Sequence, residues 1–228
     1  MTDRPILFSA PMVLALLAGT KTQTRRTCNH PGLKDLSYIV NCGDGWWGDE
    51  EGDFQARCPY GQPGDRLWVR ETSRAHELTD KEAEADTFGV IERLGLEVPP
   101  CGLDGVVYAA DNAFREIENS REASERWMKM NAYRGMQGAT VPAIHMPRWA
   151  SRITLEVTGV RVERLQDISE ADAMAEGVHY SLLEKIQAGQ DRWARHAYKK
   201  LWESIHGPDS WDLNPWVWVV EFKRATPC

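Results

Sequence analysis

The sequence predicts an α+β fold in which strands from both ends of the chain form the core. Three observations favour this class: a strand pattern opens the chain at 6–9, strand patterns recur at 66–71 and 216–222, and helical patterns stand between them. The length of 228 residues fits one large domain, and 42% hydrophobic with 27% charged residues is typical of a folded chain. We expect the first and last strands to be neighbours.

The first third of the chain alternates strand and helix patterns. Ser9 is a suitable N-cap for a helix that follows the first strand and that we expect to end at Gly19. The segment 20–26 is β-branched and basic. In 66–71, alternation places the odd-numbered residues on one face of a strand and the even-numbered residues on the other.

The middle third is acidic. Residues 75–140 contain 7 basic and 13 acidic side chains, so they supply −6 of the net charge of −7. Within this stretch we predict a helix over 75–100, a strand over 105–110 and a polar helix over 114–131. We interpret the stretch as an insertion between two ends that together form the core.

The last third contains strands on both sides of a helical region. A strand pair over 150–162 is interrupted near Gly159. Ser169 begins a helix as its N-cap and Gly177 ends it, and a longer helix is predicted over 179–206 before the closing strand.

Charge and composition restrict the classes of function. A net charge of −7 and a pI of about 5.4 exclude a protein that coats nucleic-acid phosphates broadly, because such proteins are basic. A local basic site is compatible with this balance. Ten tryptophans supply many faces on which a base could stack.

The apolar run and the cysteines indicate the compartment. Residues 5–19 are fewer than the roughly 20 that a membrane-spanning helix needs. The prolines within this run and the basic segment after it favour a core helix over a signal peptide. Five cysteines without the spacing of a disulfide framework favour a reducing cytoplasm, and we predict no membrane partner.

Four residues in one stretch could form a weak zinc set: Cys28, His30, Cys42 and Cys58. One residue separates Cys28 from His30, whereas zinc sites usually have two to four, and Cys42 stands alone. We therefore expect free thiols and no cofactor, with a structural zinc as the alternative.

Four segments carry motifs in a defined order: Gly19-x-Lys21-Thr22-x-Thr24-x-Arg26, 63–71 (PGDRLWVRE), 153–177 and 214–222. Together they resemble ASCH (activating-signal-cointegrator homology) domains of the PUA-like superfamily, in particular those encoded in bacteriophages and prophages. The resemblance implies a small, mostly antiparallel β barrel with flanking helices in the cytoplasm of a bacterial host. It covers 1–74 and 141–228 of a single domain, 1–228, and leaves the insertion 75–140 unassigned.

The resemblance also implies a ligand cleft. In this superfamily such a cleft commonly holds RNA or a modified base, and some small bacterial members are amidohydrolases that remove the acetyl group of acetylcytidine. Their Lys, Thr and Glu correspond to Lys21, Thr24 and Glu176. A threonine hydroxyl needs a neighbour to accept its proton, and a lysine can do so when burial or nearby positive charge lowers its pKa. Glu176 could carry a proton to the leaving amine.

The local geometry sets a condition on this mechanism. In a regular strand over 20–26, Lys21 and Thr24 would point to opposite faces. They converge only if the strand begins after Lys21 or is distorted there. Catalysis and binding alone both remain open at this point.

Further side chains are candidate ligand contacts. Arginines suit phosphates and tryptophans suit bases, although a surface salt bridge is the alternative for any single arginine. The candidates are Thr22, Arg25, Arg26, Arg66, Trp68, Arg70, Glu71, Arg148, Trp149 and Trp218.

Three functions are therefore open. The first is a module that binds RNA, single-stranded nucleic acid or a modified nucleoside. The second is a hydrolase in the same cleft, acting on an acylated cytidine or, as a ribonuclease, on RNA. The third is a phage accessory protein that binds a host protein through 75–140.

Overall fold

The computed structural model describes residues 2–78, 103–178 and 193–225. In these residues it contains eleven strands in three sheets and four α-helices. The prediction of a mixed α+β fold is therefore confirmed. The described strands form no closed barrel, and the PUA-like barrel stays a prediction.

The strands are β1 (Asp3–Leu7), β2 (Gln23–Thr27), β3 (Val40–Gly43), β4 (Trp46–Gly48), β5 (Gln55–Arg57), β6 (Arg66–Arg70), β7 (Ser73–Leu78), β8 (Leu103–Tyr108), β9 (Phe114–Glu116), β10 (Thr154–Arg164) and β11 (Trp216–Arg224). The helices are α1 (Ala10–Leu17), α2 (Arg121–Asn131), α3 (Glu170–Ala175) and α4 (Trp193–His206). In the part of the chain that the structure describes, no helix is long and apolar enough to cross a membrane.

The chain divides into two compact units. The first comprises Met1–Ile6, Met12–Val69 and Arg152–Cys228, and the second comprises Leu7–Pro11 and Arg70–Ser151. Most of the strands that the sequence assigns to the core lie in the first unit. The predicted insertion, 75–140, lies within the second.

The first unit is built on a sheet with the strand order β1-β6-β10-β11-β2. β11 pairs antiparallel with both β10 and β2, and the residues on its two faces, such as Trp218 and Val219, are buried. The expectation that the first and last strands are neighbours is wrong. β1 is an edge strand of this sheet, and β6 and β10 lie between it and β11.

The predicted strand pair at 150–162 is instead one strand, β10. Gly159 marks a bulge in its pairing with β11, between Val157 and Gly159, rather than a turn. A Cβ at Gly159 would lie 2.6 Å from Glu221 Oε2, so a larger residue here would displace the Glu221 carboxylate.

Two helices pack beside this sheet. Ser169 caps α3 as predicted, since its side chain accepts a hydrogen bond from the Asp172 backbone N–H at 3.0 Å. In α4, Tyr198 and Trp202 belong to a buried cluster that includes Val217 and Val219 of β11. The predicted helix over 179–206 is thus present at Trp193–His206, while 179–192 lie outside the described residues.

The second unit contains the sheet β7-β8-β9 and α2, and two predictions in it are wrong. Residues 75–78 belong to β7, because they pair with β8 instead of forming a helix, and 79–100 lie outside the described residues. Residues 114–116 form β9. The helix begins only at Arg121, where Ser120 caps it by accepting from the Ala123 backbone N–H.

Candidate active site

Lys21 and Glu176 form a buried ion pair in the first unit. β2 begins at Gln23, so Lys21 precedes the regular strand and forms an isolated antiparallel bridge with Glu176. Lys21 Nζ lies 2.9 Å from Glu176 Oε2, and both side chains are buried. The strand therefore starts late enough to meet the condition that the sequence sets on Lys21 and Thr24.

The end of α3 explains why Glu176 and Lys21 pair. Glu176 caps the C-terminus of the helix, where the helix dipole disfavours a negative charge. Lys21 Nζ offsets this by donating also to the Glu176 backbone oxygen at 2.9 Å, a carbonyl with no partner inside the helix. Gly177 follows with a φ of +73°, and its own Cβ would lie 2.8 Å from Lys21 Cβ.

Arg25 holds the other oxygen of Glu176. Its Nη1 donates to Glu176 Oε1 at 3.3 Å, and its Nη2 donates to Glu163 and, at 3.2 Å, to Asp172 Oδ2. Arg161 in turn bonds Glu163, Asp172 and Glu221. Breaking a buried pair such as Lys21–Glu176 costs about 3–5 kcal/mol, because it leaves an uncompensated charge.

Burial and charge shift the pKa values of several groups in this network, Lys21 among them. Burial lowers the pKa of Lys21, Glu176 raises it in opposition, and the positive charges of Arg26 and Arg25 lower it further. The net direction is downward, so the neutral amine forms at a lower pH than for an exposed lysine.

Asp172 shows the opposite balance. Burial alone would raise its pKa, but the attraction of Arg161 and Arg25 outweighs burial and lowers the pKa. Asp172 therefore stays ionised at a lower pH than an exposed aspartate does.

A small cleft adjoins the ion pair, with a cavity volume of about 20 Å³. Its lining residues are Met12, Thr24, Arg25, Arg26, Glu176, Tyr198, Leu201, Trp202, Ile205 and His206. This volume holds about one water molecule and is smaller than a pyrimidine ring. A larger ligand enters only if a wall of the cleft moves.

The side chains of α4 that line the cleft, here called the α4 wall, include an unused hydrogen-bond donor. Trp202 is 3% exposed, and among the described residues no acceptor lies within hydrogen-bond distance of its Nε1. His206 stacks on Trp202 with a centroid distance of 3.9 Å and an interplanar angle of 22°. An indole N–H in such a place normally has an acceptor, so a ligand carbonyl is a suitable partner.

The structure brings together part of the predicted site. Glu176, Arg25 and Arg26 line the cleft with Thr24, and Lys21 does not line it but is paired with Glu176. The remaining predicted residues of the first unit, Thr22, Arg66, Trp68 and Trp218, do not line it, and Trp218 is buried in the core. β6, which carries Arg66 and Trp68, is separated from β2 by two strands of the sheet.

The other predicted contacts belong to the second unit. They are Arg70, Glu71, Arg148 and Trp149. Arg70 donates to the Ile144 backbone oxygen, the Glu71 backbone N–H approaches Met146 Sδ at 3.2 Å, and Trp149 packs against a buried cluster. Arg148 is exposed.

Sequence reasoning missed the α4 wall. Tyr198, Leu201, Trp202, Ile205 and His206 are spaced i, i+3, i+4, i+7 and i+8, which is the signal of one helix face. The partners of Arg25 in the network, Asp172 and Glu163, were also missed. No local pattern identifies them, because they reach Arg25 from 147 and 138 positions away.

In residues 2–78, 103–178 and 193–225, no group of three or more His, Cys, Asp or Glu side chains could hold a metal ion. The candidate zinc residues therefore form no such group. Cys28, Cys42 and Cys58 are free thiols, and burial raises the pKa of Cys58 to about 12.

The chain matches no family model, and neither curated proteins nor solved structures show significant similarity to it. Its likeness to ASCH domains therefore rests on the four sequence motifs.

Proposed function

We propose that the cleft hydrolyses the amide of an acylated cytidine or a related modified nucleoside, with Lys21, Thr24 and Glu176 as its catalytic residues. The observation that carries this proposal is the buried Lys21–Glu176 pair at 2.9 Å, beside a cleft lined by Thr24. A lysine whose pKa is lowered by burial is a suitable proton acceptor for a weak threonine nucleophile.

The proposed reaction has two steps. Thr24 Oγ1 attacks the acyl carbon while Lys21 Nζ takes the hydroxyl proton. The Glu176 carboxylate receives this proton from Lys21 Nζ, to which it is hydrogen-bonded at 2.9 Å, and delivers it to the exocyclic amine as the amide C–N bond breaks. Water then hydrolyses the ester on Thr24, which releases the carboxylic acid and restores the hydroxyl. Atoms and protons balance without a metal or a redox partner.

We expect the base of the ligand to bind against the α4 wall. The Trp202 Nε1–H donates to a carbonyl oxygen of the ligand, and Arg26 at the cleft supplies positive charge. Because the cavity volume is about 20 Å³, binding requires the last turn of α4, with the half-exposed Ile205, to move outward. A single base or a short single strand suits this site and the acidic chain better than a duplex.

We also propose that the chain is a PUA-like ASCH domain, encoded by a phage or prophage and acting in the bacterial cytoplasm. An experimental structure in which the sheet of the first unit closes into a barrel would support this part, and an open sheet would contradict it.

Kinetics with acetylcytidine test the proposal. We expect Thr24→Val and Glu176→Gln each to lower kcat by roughly 100-fold or more, because each removes a proton-transfer or nucleophilic step. Trp202→Phe should instead raise KM, because it removes only the donor to the ligand carbonyl. Arg121→Ala is the control, since its ion pair with Glu125 is exposed and lies in the second unit.

Folding must be checked in these variants and in a replacement of Lys21. Lys21→Ala leaves Glu176 buried without its lysine, so its thermal midpoint is compared with that of Lys21→Met. Wild-type protein that is folded but releases no cytidine would contradict the proposed hydrolysis. A salt-titrated panel of short RNAs then tests whether the cleft only binds.

A further inference from the structure

The first unit contains a second cavity, which the Lys21 site does not use. It has a volume of about 210 Å³ and is predominantly polar. Its lining residues are Thr2, Arg4, Gly45, Arg57, Cys58, Gly61, Gln62 and Asp65. No residue of this set lines the cleft beside Glu176.

Two guanidinium groups line this cavity without an ion-pair partner among the described residues. Arg4 Nη1 donates to the Pro59 backbone oxygen at 3.3 Å, while Arg4 Nε is buried with no acceptor within hydrogen-bond distance there. Arg57 Cζ lies 4.7 Å from the centroid of the Trp46 ring, a cation–π contact that fixes the guanidinium but uses none of its N–H donors.

The other ionisable groups of the lining leave it with a net positive charge. Asp65 is the one carboxylate of the lining, and both of its oxygens accept backbone N–H groups, from Thr2 at 2.9 Å and from Gln62 at 3.3 Å. The Cys58 thiol is neutral at pH 7, because burial raises its pKa to about 12. The lining therefore carries two positive charges and one negative charge.

We propose that this cavity binds a phosphate group, as a phosphate monoester such as a nucleotide 5′-phosphate. Guanidinium groups present several N–H donors in a fixed plane that matches phosphate oxygens, and the lining holds two of them against one carboxylate. The volume accommodates a phosphate with part of its sugar. This inference does not depend on the proposed hydrolysis.

Isothermal titration with three probes tests the site: inorganic phosphate, 5′-CMP and cytidine. We expect the protein to bind 5′-CMP, and to bind cytidine at least tenfold more weakly. Binding of inorganic phosphate as tight as that of 5′-CMP supports a site for the phosphate alone, and tighter binding of 5′-CMP supports a nucleotide site. Cytidine binding equal to that of 5′-CMP overturns the proposal, as does failure to bind either phosphate.

Variants locate the phosphate. Arg57→Ala and Arg4→Ala should each weaken 5′-CMP binding by roughly tenfold or more, as expected for loss of a charged hydrogen bond. Arg57 is exposed and its replacement leaves the core intact, so it keeps the test valid if Arg4→Ala is unstable. Arg126→Ala, which loses only an exposed ion pair with Glu122, is the control. Equal binding by Arg57→Ala and the wild type would overturn the proposal.

Phosphate binding by Thr24→Val distinguishes the proposed phosphate site from the proposed hydrolase site. Thr24→Val abolishes acetylcytidine turnover if the proposed mechanism is correct, but it should leave binding of inorganic phosphate unchanged. Loss of phosphate binding in Thr24→Val would place the anion at the cleft instead and overturn the second site.

Discussion

At the scale of single residues, Lys21 is the group on which the proposed chemistry depends most. Its amine is removed from solvent, bonded to Glu176, and close enough to Arg25 and Arg26 for their charges to act on it. A buried lysine costs free energy that an exposed lysine would avoid. A site that uses the neutral amine as a base benefits, because the same burial lowers the pKa of Lys21.

The pH dependence of kcat follows from Lys21. Its pKa is lowered, and the base is the neutral amine, so kcat should rise with pH and level off below the pH at which an ordinary lysine, with a pKa of about 10.4, deprotonates. Arg26→Gln removes one of the charges that lower this pKa and should move the rise to higher pH. A rise at the same pH in wild type and Arg26→Gln would contradict this assignment.

Asp172 gives a prediction on stability in acid. Its folded pKa is lowered, so its ionised form stabilises the fold above the ordinary aspartate pKa of about 3.9, and this contribution is lost as pH falls through the folded pKa. Asp172→Asn should therefore reduce the free energy of unfolding at pH 6 and flatten its fall below about pH 4.

Urea unfolding over a pH series measures this effect. Asp212→Asn is the matched control, since its carboxylate is 68% exposed and lies 3.8 Å from Lys199, whose side chain is 38% exposed. Identical pH profiles for Asp172→Asn and the wild type would show that Asp172 contributes nothing to the network.

At the scale of elements, the junction between α3 and the start of β2 forms the site. α3 delivers Glu176 at its last turn, Gly177 turns the chain, and the delayed start of β2 leaves Lys21 free of the regular strand alternation. The Thr22 backbone N–H donates to the Ala175 oxygen at 2.8 Å, which ties the two segments together. The site therefore depends on backbone geometry as much as on side chains.

Alanine replacement of two glycines near this junction distinguishes the effect of backbone strain from the effect of side-chain crowding. Gly19 and Gly177 share a φ of +73°, but a Cβ at Gly19 meets nothing within 4 Å, whereas one at Gly177 lies 2.8 Å from Lys21 Cβ. Both alanine variants should lose roughly 1–2 kcal/mol of stability from the left-handed conformation.

Only Gly177→Ala should also lower kcat, because it displaces Lys21. Chemical unfolding and acetylcytidine kinetics measured on both variants check this. An equal loss of kcat in Gly19→Ala and Gly177→Ala would show that Lys21 is not displaced.

At the scale of the whole molecule, the sequence indicated the elements better than it indicated their pairing. Alternation in 66–71 and the caps at Ser169 and Gly177 depend on near neighbours, and the structure confirms them. Neighbouring strands and the segment 114–116 were mispredicted, because pairing with a distant strand decides them.

In the site, too, the sequence predicted the motif residues but not the contacts between distant segments. The motif residues Lys21, Thr24 and Glu176 were named from the sequence. In the structure, Thr24 and Glu176 line one cleft and Lys21 is paired with Glu176. The charged partners of Arg25 and the donor of Trp202 depend on contacts between segments far apart in the chain. A single sequence contains no local signal for such contacts.

The most direct test of the central claim is the appearance of cytidine from acetylcytidine, followed by chromatography with folded wild-type protein beside Thr24→Val. We predict cytidine and acetate in equal amounts with the wild type and almost none with Thr24→Val. Equal cytidine formation by both proteins, or none by the wild type, would contradict the proposed amide hydrolysis at this cleft.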